Sequence, residues 1–340
     1  MKYLLISLVI FSMLFIGCNK EECDPITPTV DDRIPFEINF LQYSDNNFFL
    51  DQVYADTSAE FNMYNLYYGS NTPIVLPKYF IKNIEVFKSA NSIFDDGIIA
   101  TAFINLPPRS SDSMYADELR NINTIIPGQN DASRFILLDE GNDYIFHRET
   151  GWISFINPIL DQEIIAVAYK IENEPGYTDD LIYGEFISEL VNNSKTRGVL
   201  KLVKPRNLQP VYEDAWNLKM KNIYQISSQL GYIRNLDLDI YLKKSDGTES
   251  NTINNVRLLE LFGFDRFSEN LMPIPDGKYD YFPGMNFEPR TSEIIFPVIQ
   301  PFGNNITFVL NEYKYQAIYD TIRTFLSMPG NSFIIRGKYK

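Results

Sequence analysis

The sequence predicts a mainly β protein, built from β-sandwich-like modules of the jelly-roll or immunoglobulin (Ig-like) kind, with one short helix near the carboxyl end. Three observations predict it. The 340 residues include 22 Tyr and 25 Phe but only 2 Trp, and aromatic residues together with Val, Ile and Thr favour pleated, half-buried surfaces. Apolar residues recur at alternate positions in several segments, the period of a strand with one buried face. Turn signals containing Gly and Pro separate those segments. With 45% hydrophobic and 22% charged residues, the chain is long enough for one large core or two modest ones. Two β-rich domains are expected, over 36–208 and 209–340.

The amino terminus reads differently from the rest. Lys2 precedes an apolar run, Tyr3 to Ile16, that is too short for an ordinary spanning helix and is followed at once by Gly17-Cys18 and charge. Residues 1–17 read as a signal peptide and 18–35 as a tether. Phe15-Ile16-Gly17-Cys18 resembles the lipobox of bacterial lipoproteins, which implies that the Cys18 thiol carries lipid and that the body is exported. Phe15 stands where Leu is commoner in that motif. With Cys18 acylated, only Cys23 remains, so no intramolecular disulfide can form and the fold must hold by packing. Lys20-Glu21-Glu22 resembles the surface-export signal of lipoproteins from bacteria with type IX secretion; a solvated charged tether is the alternative. The prolines of Asp24-Pro25-Ile26-Thr27-Pro28 favour an extended spacer.

Past the tether, 36–72 is rich in Asn, Asp and aromatics and reads as irregular β structure. Ile81 to Lys88 and Gly97 to Asn105 read as strands. Glu163 to Ile171 is a continuous Ile, Val and Ala run suited to a sheet buried on both faces. Between them, turns through Asp139–Asp143 and Glu149-Thr150-Gly151 flank Tyr144–His147 and Trp152–Phe155, a β-hairpin in outline. The prolines at 205 and 210 interrupt two strand-rich halves, which places the domain boundary near 205–213.

In the second half Trp216, Leu218 and Met220 alternate with Asn217, Lys219 and Lys221. Leu236, Leu238, Ile240 and Leu242 alternate with Asp237, Asp239 and Tyr241. Both patterns predict strands with one buried face. Ile318, Ile322, Phe325 and Leu326 at helical spacing predict a packing helix over 313–326, ended by Pro329-Gly330. Ser332 to Tyr339 predicts a closing strand.

Several of these segments resemble the SprA family, the cell-surface gliding-motility protein and outer-membrane translocon of type IX secretion. The resemblance is carried by Ile84–Phe87, by Asp143-Tyr144 through Gly151–Phe155, and most strongly by Trp216–Tyr224, Pro275–Gly284 and Ile294–Gly303, with the closing Phe333–Tyr339. It spans about residues 78–339. The family-motif residues are Trp216, Met220, Asn222, Tyr224, Asp276, Gly277, Asp280, Pro283, Gly284, Phe296, Pro297, Pro301, Phe302 and Gly303. The resemblance implies one module of the family's N-terminal type and a setting at the outer membrane. The family's translocon is a very long chain forming a giant barrel, so its pore does not carry over.

Candidate chemistry is sparse. Pro275-Asp276-Gly277 and Pro283-Gly284 are turn signals. Asp276 and Asp280 are weak Ca²⁺ candidates, because the spacing lacks the dense oxygen array of a calcium loop; turn capping is their alternative role. His147 is the only histidine, and no Gly-x-Ser-x-Gly, His-Glu-x-x-His or phosphate-cradling Gly-rich motif is present. No catalytic residue, metal or cofactor is expected beyond lipid on Cys18. The net charge of −14 without a basic stripe argues against nucleic acid. The expectation is a non-catalytic accessory or scaffold lipoprotein of the outer membrane, on the cell surface, contacting secretion, gliding-motility or other envelope proteins. The alternative is an adhesin or glycan-binding lipoprotein, with stretches such as Tyr64–Tyr68 stacking on sugars.

Overall fold

The structure, a computed structural model, describes residues 32–57, 62–92, 95–110, 113–171, 180–227 and 233–340. The signal segment 1–17, Cys18, Lys20-Glu21-Glu22, Cys23 and nearly all of the tether lie outside the described residues. The described body is mainly β. No helix among the described residues is long and apolar enough to cross a membrane.

The amino-terminal part contributes β1 (Ile34–Asn39), β2 (Asn47–Phe49), β3 (Ile81–Ser89), β4 (Ile98–Phe103), β5 (Asn130–Leu137), β6 (Tyr144–His147), β7 (Trp152–Phe155), β8 (Ile165–Ile171), β9 (Leu181–Tyr183) and β10 (Arg197–Lys204). Strands β10, β4, β5, β3 and β8 hydrogen-bond in that order. Strand β8 then pairs back to β10, so these strands close a barrel with β9 attached outside β8. The β4–β10 contact is parallel and the other barrel pairings are antiparallel. Closure requires local bending, and register shifts occur on β3 between Ile81 and Asn83 and on β10 between Leu202 and Lys204. As its continuous apolar run predicts, β8 buries Ile165, Ala166, Val167, Ala168 and Tyr169 completely.

The expected hairpin forms between β6 and β7, with His147 opposite Trp152, and β2 adds to the far side of β7. Its turn needs Gly151 twice over: φ is +62°, and the Tyr54 ring occupies the space a Cβ would take. The 36–72 segment differs from its irregular-β expectation. After β1 and β2 it turns through two short helices, Gln52–Ala55 and Met63–Tyr68. Asn62 caps the second by accepting from the Asn65 amide at 2.8 Å. Tyr64 and Tyr68, at i and i+4, then lie with ring centres 4.4 Å apart, tilted by 37°, on one buried face.

The carboxyl-terminal part contributes β11 (Ile223–Gln225), β12 (Asp237–Lys243), β13 (Glu249–Ser250), β14 (Thr252–Ile253), β15 (Val256–Arg257), β16 (Phe287–Glu288), β17 (Glu293–Ile295) and β18 (Ser332–Tyr339). They form the sheets β1-β18-β12-β13 and β11-β17-β16 and the hairpin β14-β15. The closing strand is as expected, and it pairs with β1 from Ile34 opposite Tyr339 to Asn39 opposite Ile334. The two ends of the body are therefore laced together. On β12 the predicted alternation holds, with Leu238, Ile240 and Leu242 buried.

Two expectations need correction. The helix over 313–326 is reduced to single turns: 3₁₀ at Asn311–Tyr313, α at Ala317–Asp320 and 3₁₀ at Arg323–Phe325. The β-branched pair Thr321-Ile322 adopts extended backbone, with φ −141° at Thr321 and ψ 134° at Ile322. Ile318 packs as expected, but Phe325 is 78% exposed. The strand read from Trp216 to Met220 is instead a helical turn, Glu213–Trp216, continued by a turn at Asn217-Leu218 and a single antiparallel bridge from Lys219 to Phe48. Leu218 and Met220 lie beside β2, with Phe49 N–H donating to Leu218 at 2.8 Å and Met220 N–H to Asn47 at 3.0 Å. The burial alternates from Trp216 to Met220 and then breaks, because Lys221 is buried as well.

From Ile34 to Lys340 the chain is one compact unit with two principal cores. The cores do not divide at the prolines 205 and 210. Ala215, Leu218, Met220 and Ile223 pack in the first core with the barrel. Ile38, Phe40 and Tyr43, from the other end of the chain, pack in the second. The cause is topological: β1 finds its partner in β18 and the 218–220 run finds its partner in β2.

Candidate functional site

The family-motif residues separate into two places. Trp216, Met220, Asn222, Tyr224, Phe296, Pro297, Pro301, Phe302 and Gly303 are all buried where the two cores meet. Asp276, Gly277, Asp280, Pro283 and Gly284 lie on a loop nearer the surface.

The buried set is tied together by specific bonds. Asn222 Nδ2 donates to the Tyr64 hydroxyl at 2.8 Å and to the carbonyls of Phe296 at 3.2 Å and Val298 at 3.1 Å. Tyr224 donates its hydroxyl proton to the Phe40 carbonyl at 2.8 Å. Phe296 and Phe302 stand 5.4 Å apart, and both lie against Tyr224 and Phe262. Such edge-to-face aromatic clusters add to ordinary apolar burial.

In the surface set the turn signals are realised, with Gly277 at φ +83° and Gly284 at +81°. The Asp276 carboxylate accepts from the amides of Glu269 and Lys278, and Asp280 from those of Arg266 and Phe267. Buried Asp265 accepts from the amides of Asp276 and Gly277. These carboxylates cap loop backbone, and no metal-binding group of His, Cys, Asp or Glu occurs among the described residues.

Tyr64 and Tyr68, from the stretch offered for sugar stacking, are buried in the first core. His147 lies face to face on Trp152, with ring centres 3.5 Å apart and an interplanar angle of 7°. Burial, with the Arg290 charge adding, drives its pKa down to about 3, so the ring is neutral at physiological pH.

The concave site lies around Trp216. One cavity of about 470 Å³ opens on one side, between the turn after Gln52–Ala55 and the strip carrying Trp216, Lys219, Lys221, Gln300 and Tyr319. A second, of about 440 Å³, includes Lys204, Arg323 and Tyr43. Trp216 and Lys219 line both. The indole N–H donates to the Tyr319 carbonyl at 2.6 Å, and the Lys221 ammonium donates to the same carbonyl at 2.7 Å while lying 4.0 Å from the Trp216 ring centre.

The cations here are in different electrostatic states. Lys219 and Arg323 both pair with Asp45, at 2.7 and 2.8 Å, and Arg323 stacks on Tyr43 at 3.9 Å. Lys204 is held by the carbonyls of Leu160, Asp161 and Glu163, and burial lowers its pKa to about 8. Lys221 is 4% exposed. Burial first, then the neighbouring Lys219 charge, pulls it down to about 7.

The alternation in the sequence predicts Lys219 and Lys221 on the solvent face of a strand; the structure instead buries Lys221. The signal that marks them is a Lys-x-Lys pair beginning three residues after Trp216 in an otherwise acidic chain. Compared with protein-family models and with curated proteins, the chain matches none.

Proposed function

We propose that the chain is an outer-membrane lipoprotein, held through lipid on Cys18 and displayed at the cell surface. Its body is a SprA-like module with a non-catalytic accessory or scaffold role in type IX secretion, gliding motility or envelope assembly. The observation that carries this reading is the interlocking of the motifs on which the resemblance rests. The Trp216–Tyr224 and Ile294–Gly303 segments, distant in sequence, bind each other through Asn222 and the Tyr224–Phe296–Phe302 cluster. Residues used in that way make a rigid frame.

The second core supports a sandwich-like arrangement for this half of the module, because β1, β12 and β18 of one sheet and β11, β16 and β17 of the other contribute to it together. A stacked, neutral His147 supports a role without acid–base catalysis there. The loop holding Leu271, Met272 and Ile274, 67%, 56% and 60% exposed, supports protein contact, as clustered apolar groups at a surface do.

Mass spectrometry of the native protein tests the anchor: a mature chain beginning at Cys18 with a diacylglyceryl thioether is expected, and an unmodified thiol there contradicts it. Crosslinking on intact cells, repeated with Leu271→Asp, tests the scaffold role. Adducts with envelope or secretion proteins that fade in the variant support it, and an adduct pattern free of such partners counts against it.

A second reading, glycan binding, is favoured by one observation. The cleft beside Trp216 is open and lined with amides and lysines, groups that match sugar hydroxyls.

A further inference from the structure

Taking an ammonium group out of water is costly unless a counter-charge or a full set of acceptors replaces the solvent. Among the described residues the other buried cations meet that condition. Arg120 is paired with Glu185 and Asp117, Lys201 with Asp51, and Lys204 is ringed by carbonyls. Lys221 is different. Its hydrogen bond is to the Tyr319 carbonyl and it lies over the Trp216 ring; it forms no ion pair among the described residues, and the Asp320 and Asp45 charges favour its charged form without pairing with it. A second ammonium, Lys219, faces the same cavity and adds like charge.

The space in front of these groups holds about 470 Å³, enough for one or two sugar rings, and is bordered by the amides of Gln52, Asn217 and Gln300 and by Asp56. Amides and carboxylates take the donors and acceptors of sugar hydroxyls. Lys221 lacks a paired anion, whereas Lys219 beside it is already paired with Asp45 and adds positive potential to the same cavity.

We propose that this cleft binds a carboxylate-bearing sugar, a hexuronate unit of an acidic polysaccharide, whose carboxylate is received by Lys221 and Lys219 beside Trp216. The inference rests on the glycan-binding reading and is separate from the scaffold reading. The ligand supplies the counter-charge that the fold withholds, so Lys221 destabilises the empty protein and stabilises the occupied one.

Isothermal titration of the full chain in mild detergent tests it, with a galacturonate tetrasaccharide, the matching neutral galactose tetrasaccharide and a tetraglutamate peptide as probes. The acidic sugar is expected to bind at least about tenfold more tightly than either control. Lys221→Met, which leaves the Tyr319 carbonyl its bond from Trp216, is expected to raise the melting temperature at pH 7 and to lose at least about tenfold in affinity for the acidic sugar. Lys219→Gln, at a half-buried position, loses a smaller factor. Equal binding of neutral and acidic sugars, or undiminished binding by a folded Lys221→Met variant, overturns the carboxylate assignment and leaves glycan binding standing. Equal binding of tetraglutamate overturns the sugar. Failure of all three probes overturns both.

Discussion

The barrel and the layer behind it are held in different ways. Barrel strands β3, β4, β5, β8 and β10 fall within 81–204 and are held by continuous ladders, closed on themselves by β8 and β10. The second core has short ladders, and much of its packing is an aromatic cluster in which Phe262, Phe296, Phe302 and Phe333 meet at 5.1 to 5.6 Å. Ladders satisfy backbone groups one strand at a time, whereas a ring cluster depends on residues from several loops arriving together. The cleft with its uncompensated lysine lies where the two constructions meet, as ligand sites often do.

The largest effects are expected where each construction has one indispensable contact. In the barrel region Glu185 is fully buried, accepts from the amides of Tyr115 and Val199, and is clamped by Arg120. Arg120→Ala leaves that carboxylate buried without its cation and should cost about 3–5 kcal/mol in urea unfolding. In the second core Phe302→Ala should cost about 3–5 kcal/mol, from a residue with no exposed surface that touches Phe40, Tyr224, Phe262, Phe296 and Phe333.

At the seam the sign reverses. Lys221 has an ordinary pKa of 10.5 in the open chain and about 7 in the fold. The unfolded chain therefore binds more protons between those values, and this residue's contribution to stability rises with pH across that window. Its cost is fully present below pH 7, where it is on the order of 5 kcal/mol, and disappears above pH 10.5. Melting curves of the parent and Lys221→Met should therefore differ most at pH 6, with the variant higher, and converge towards pH 10.

Smaller effects sharpen the contrast. Asn222→Leu removes the donor shared by the carbonyls of Phe296 and Val298 and should cost about 1–3 kcal/mol. Phe325→Ala, at a mostly exposed ring, should stay within about 0.5 kcal/mol of the parent.

The same contrast explains what could be read in the sequence. Strands β3, β8, β12 and β18 and the β6–β7 hairpin are legible because a ladder imposes a two-residue period or a continuous apolar run on the residues themselves. The Trp216–Met220 run shows that period for a different reason, since its neighbour β2 is only three residues long. In the 313–326 segment only part of the helical spacing is realised: Ile318 is buried, Thr321-Ile322 keeps the backbone extended, and Phe325 is left exposed. The cleft was not legible. Lys221 is polar in the sequence and looks solvent-facing, and its burial is decided by Tyr319 and Trp216 approaching from separate parts of the chain.

The two tryptophans report on the two constructions: Trp152 sits in the barrel core and Trp216 at the seam, bonded to Tyr319. Urea unfolding followed by fluorescence in Trp152→Phe and Trp216→Phe variants, each referred to a common circular-dichroism curve, asks whether barrel and aromatic layer are one frame. A body laced by β1 with β18 and by the 218–220 run with β2 predicts that each tryptophan signal coincides with the loss of strand signal in the same variant. A Trp152 transition clearly displaced from that of the remaining structure would show two independently folding domains and contradict the account.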